Sequence, residues 1–89
     1  MPVHDPMPPM VRAAQHLIDA RHEWEAALLE QKTAAGMVQH ARDVGDPAEM
    51  IDAYEVLADY AARAVAPAEA EYQTVRLVFE RLRDESRHR

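Results

Sequence analysis

Eighty-nine residues make one domain at most, and a domain this small buries only about 60% of the surface its unfolded chain exposes. There is no cysteine, so neither a disulfide nor a thiolate metal site is available to stabilise it. Sixteen acidic residues against ten Lys and Arg give a net charge of −6, the opposite of the basic face that tracks nucleic-acid phosphates.

The chain opens with MPVHDPMPP, four prolines in nine residues and no apolar core of a signal peptide. Residues 1–8 therefore read as a flexible proline-rich tail, because each proline lacks an amide donor and biases its predecessor away from helix. Pro9 suits a first helical turn. From there the pattern predicts one helix over 9–43. Ala13, Ala20, Ala27, Ala34 and Ala41 recur every seventh residue, and Met10, Leu17, Trp24, Gln31 and Val38 form a second lane at the same spacing. A paired lane sustained over about five heptads is the mark of a helix packed lengthwise on another helix, and alanine allows close approach. Gly36 is the weak point of this helix.

Val44-Gly45-Asp46-Pro47 reads as the turn over 44–47. Gly45 favours the left-handed conformation that ends a helix, Asp46 is an N-cap type, and Pro47 fits a first helical position. A second apolar stripe follows at Met50, Tyr54, Leu57, Ala61, Ala64, Ala68, Tyr72, Val75, Phe79 and Leu82, in steps of three and four with one slip between Ala64 and Ala68. Pro67 lies in that slip. The second arm is expected either to kink there or to break into helices over 47–65 and 67–87. The predicted fold is all-α: a long antiparallel hairpin of two or three helices forming a single domain over 9–87, dimerising into a four-helix type of bundle.

Several polar groupings invite a chemical reading. His16, Asp19, His22 and Glu23 combine imidazole and carboxylate at helical spacing, a pattern that ligates Zn or Ni. They point away from the apolar seam, so a solvated face is the simpler expectation. Asp52, Glu55 and Asp59 line one side of the second arm, but a di-iron bundle also needs Glu-x-x-His from facing helices. The nearest matches are Glu85-Ser-Arg-His88 at the end and the shorter relative Asp19-x-x-His22. Arg21 and Gln31 interrupt the apolar face of the first helix, where a buried Gln can fix register. Trp24, Tyr54 and Tyr72 fall on core positions, whereas Tyr60 lies off the stripe.

No catalytic, cofactor or metal set emerges from this sequence. It reads as a small non-enzymatic interaction module, an adaptor or regulator working through its surface. The expected interface residues are Ala13, Ala20, Trp24, Ala27, Leu28, Ala34 and Val38. A homodimer and a further protein partner are expected, with neither nucleic acid nor membrane. A metal-binding bundle or a small helical enzyme is the alternative. Arginine far outnumbers the lone Lys32 and asparagine is absent, which suggests a GC-rich bacterial coding sequence. With no signal-peptide pattern and no run of about 18 apolar residues, a cytoplasmic location is expected.

Overall fold

The computed structural model describes residues 8–87. Residues 1–7 of the tail expected over 1–8, and His88 of the Glu-x-x-His pattern, lie outside them. The described chain is two helices, α1 from Pro9 to Val44 and α2 from Ala48 to Arg87, packed against each other along their length. At 1.5 Å per residue these arms measure about 54 and about 60 Å. The molecule is 63 Å long and only 15 Å in its thinnest direction, so it is a single layer of helices.

Helix α1 begins as the prolines dictate. Pro8 is extended (φ −52°, ψ 145°), Pro9 occupies the first turn, and the Arg12 amide donates to the Pro8 carbonyl at 3.0 Å. The helix ends at Gly45, which adopts φ 74° and ψ 38°. The Gly45 amide donates to the Arg42 carbonyl and the Asp46 amide to the Ala41 carbonyl. This Schellman pairing satisfies two of the carbonyls that every helix C-terminus leaves open. Helix α2 starts one residue later than expected. The Pro47 carbonyl accepts from the Met50 and Ile51 amides, so Pro47 sits just before the first helical residue.

Helix α2 continues through Pro67 without interruption. Proline withholds the amide that the Arg63 carbonyl would accept. Both residues lie on the exposed side of the helix, where water can take the missing donor's place.

The seam is built from small residues. Ala13, Ala20, Ala27 and Ala41 are buried and Ala34 half-buried, so the lane repeating every seventh residue does face α2. Its companion lane of Met10, Leu17, Trp24, Gln31 and Val38 is half-buried, with Val38 fully so. The register is antiparallel. The Trp24 and Tyr72 rings stack at 5.2 Å between centroids and 24° between planes, and near the turn the Arg42 guanidinium pairs with the Glu55 carboxylate.

On α2 the inward stripe differs from the expected one. Met50, Leu57 and Ala64 are exposed. The positions turned toward α1 are Ile51, Tyr54, Ala58, Ala61, Val65, Ala68, Tyr72, Val75, Phe79 and Leu82, every one buried or half-buried. Their spacing alternates three and four without a slip. The apparent slip at Pro67 arose from counting Leu57 and Ala64, which belong to a neighbouring face.

Candidate interaction surface

A two-helix layer leaves most side chains within reach of water. Six apolar residues of the described chain are buried, and five of them are alanine: Ala13, Ala20, Ala27, Ala41 and Ala61, with Val38 the sixth. Meanwhile twelve large apolar side chains remain 41–77% exposed. Leu28, Leu29, Val56 and Val78 are among them, as a narrow hairpin seam requires. Leu28 therefore sits outside the α1–α2 contact, unlike Ala13, Ala20, Ala27, Ala34, Val38 and the half-buried Trp24.

The exposed apolar residues are not spread evenly. Eight of the twelve, Leu28, Leu29, Met37, Val44, Met50, Val56, Leu57 and Tyr60, belong to the half of the hairpin nearest the turn. Within α2, Met50, Ala53, Leu57, Tyr60 and Ala64 follow one another in steps of 3, 4, 3 and 4 on the exposed side. This is a second heptad stripe, about 100° round the helix from the one that meets α1. Tyr60, expected on the surface, is the most exposed of its large side chains at 77%. Glu71 closes the stripe beyond Pro67.

The polar groupings resolve differently from one another. His16, Asp19 and Glu23 line one shallow depression, joined across the seam by Glu71 of α2. His22 lies on a different side of α1 and does not line that depression. Asp19 also accepts a hydrogen bond from the Gln15 amide nitrogen at 2.9 Å. Among the described residues no three His, Asp or Glu side chains converge closely enough to hold a metal ion. Of Asp52, Glu55 and Asp59, the last two line one depression at the edge of the seam with Arg42, to which Glu55 is committed, and Asp52 does not line it.

Arg21 projects from the seam edge and pairs with Glu25 one turn on at 2.9 Å. Gln31 remains in the seam, half-buried between Trp24 and Val38 in its lane. The Trp24 indole nitrogen is buried and meets no acceptor among the described residues. At the open end Arg12, Ala13, His16, Val75, Val78 and Leu82 border a mostly apolar groove. No described helix is long and apolar enough to cross a membrane.

The sequence matches no protein-family model, no curated protein and no solved structure.

Proposed function

We propose that this chain is a non-enzymatic helical interaction module that pairs with a second copy of itself and offers the resulting helical surface to a protein partner. The observation that carries this reading is the mismatch between what the hairpin covers and what it leaves open: a core of alanines beside twelve exposed large apolar side chains. Monomeric proteins rarely leave wide contiguous apolar patches in water.

The surface area supports the same reading. The chain exposes 7123 Å². A compact monomer of its 10.1 kDa exposes about 5,300 Å². The surplus is the surface that a single layer of two helices leaves uncovered.

Sedimentation velocity and thermal melts across about 1 to 100 µM test the pairing. A dimer whose melting temperature rises with protein concentration is expected, since association stabilises the folded state by mass action. A monomer throughout, with a concentration-independent melt and no binding of an apolar dye, overturns the reading.

A further inference from the structure

We infer that the second stripe of α2 is the self-pairing surface, and that it meets the same stripe of a second copy antiparallel, with Leu57 on the twofold axis. The inference rests on the self-association proposed above and assigns it a face. Met50, Ala53, Leu57, Tyr60 and Ala64 lie on the exposed side of the helix, facing neither α1 nor the seam.

Two features select this stripe and this orientation. The first is size complementarity. Turning the stripe end for end about Leu57 sets Met50 against the partner's Ala64 and Tyr60 against the partner's Ala53. Each large side chain then meets a small one, which fills space without voids or overlap. A parallel pairing would place Met50 on Met50, Tyr60 on Tyr60 and alanine on alanine, crowding some layers and emptying others.

The second feature is charge. Along one flank of the stripe run Glu49, Val56 and Arg63, seven residues apart and all exposed. Neither Glu49 nor Arg63 forms an ion pair among the described residues. In the antiparallel arrangement like flanks face each other. Glu49 then meets the partner's Arg63, Arg63 meets the partner's Glu49, and Val56 meets its own copy. Parallel pairing would set this flank against the opposite flank of the partner's stripe, where Tyr54 and Ala61 stand, and leave both charges unopposed. Flanking charges of this kind set partner orientation in helix pairs. The axis through Leu57 lies about ten residues from the turn, so the two hairpins overlap by their tips over about 30 Å.

The chain has no cysteine, so single introduced thiols report on single positions. Under oxidising conditions Leu57→Cys should form a disulfide-linked dimer. Met50→Cys alone should not, whereas an equimolar mixture of Met50→Cys and Ala64→Cys should link the two variants together. In sedimentation Leu57→Glu should weaken the dimer by at least about tenfold, since it buries an unpaired charge. Leu57 is 58% exposed in the hairpin, so helicity measured by circular dichroism should persist. Glu49→Arg should weaken pairing and Glu49→Arg/Arg63→Glu should restore it. A dimer of wild-type strength in Leu57→Glu, or homodimeric cross-linking through Met50→Cys in place of Leu57→Cys, overturns this face while leaving self-association standing. A wild-type chain that stays monomeric overturns both.

Discussion

Alanine does the close-range work in this hairpin. Ala20 and Ala27 retain 4% and 8% of their exposure, so no room is left beyond their methyl groups. Leucine at either position has to push the helices apart, at a typical cost of about 1–3 kcal/mol. The Ala20→Leu/Ala27→Leu variant is expected to lower the melting temperature by roughly 10 °C or more for a domain of this size. An unchanged midpoint would mean that the lane does not face α2. His16, Asp19 and Glu23 show the opposite situation, with space but no convergence. They share an open depression with Glu71, and no second layer of groups orients the imidazole. Calorimetry with Zn or Ni is expected to show binding weaker than about micromolar and indifferent to His16→Ala and His22→Ala. Stoichiometric submicromolar binding lost in either variant would put metal chemistry in place of surface interaction.

At the scale of the element, α2 tolerates a proline in its interior because Pro67 falls on the exposed side. Replacing it by alanine supplies the missing amide to the Arg63 carbonyl and removes the ring clash. A mid-helix proline costs about 3 kcal/mol against alanine, offset by up to about 1 kcal/mol through the stiffer unfolded chain. Pro67→Ala is therefore expected to raise the urea midpoint by the equivalent of about 2 kcal/mol. A lower midpoint would show that the seam depends on the backbone geometry proline imposes. The two helices also differ in how plainly their pattern could be read. In α1 the alanine lane repeats unbroken and its neighbours are mostly polar, so the buried face was legible from spacing alone. In α2 two apolar stripes run side by side with the same three-four rhythm. A one-dimensional count steps from Tyr54 to Leu57 as readily as from Tyr54 to Ala58, and so merged the inward face with the outward one. The polar depression was illegible for another reason: Glu71 reaches it from a residue 48 positions beyond Glu23, and only the antiparallel register brings the two together.

The described residues form one turn and one long seam, with no third element among them to cover either broad face. Everything that fixes the alignment of the arms comes from contacts across that seam and from the Schellman turn at Gly45. The turn is tight enough that a shift of register would have to break the Gly45 and Asp46 hydrogen bonds. The stacked Trp24 and Tyr72 lock the same alignment farther out, an arrangement worth about 0.5–1.5 kcal/mol beyond its buried area.

Side-chain size along the seam has a consequence for how the hairpin closes. Arg42 and Glu55 are 13 residues apart, whereas Trp24 and Tyr72 are separated by 48. Closing the longer loop costs about 1 kcal/mol more in chain entropy. The contacts nearest the turn are the cheapest to form, and Ile51 and Tyr54 stand there beside Ala41, Ala58 and Ala61. Leu17, Trp24, Tyr72, Phe79 and Leu82 lie toward the open end, where closure costs most, and their burial offsets that cost. The arms are expected to zip outward from Gly45, with the fluorescence of the single tryptophan, set beyond the midpoint, following the arrival of the far half.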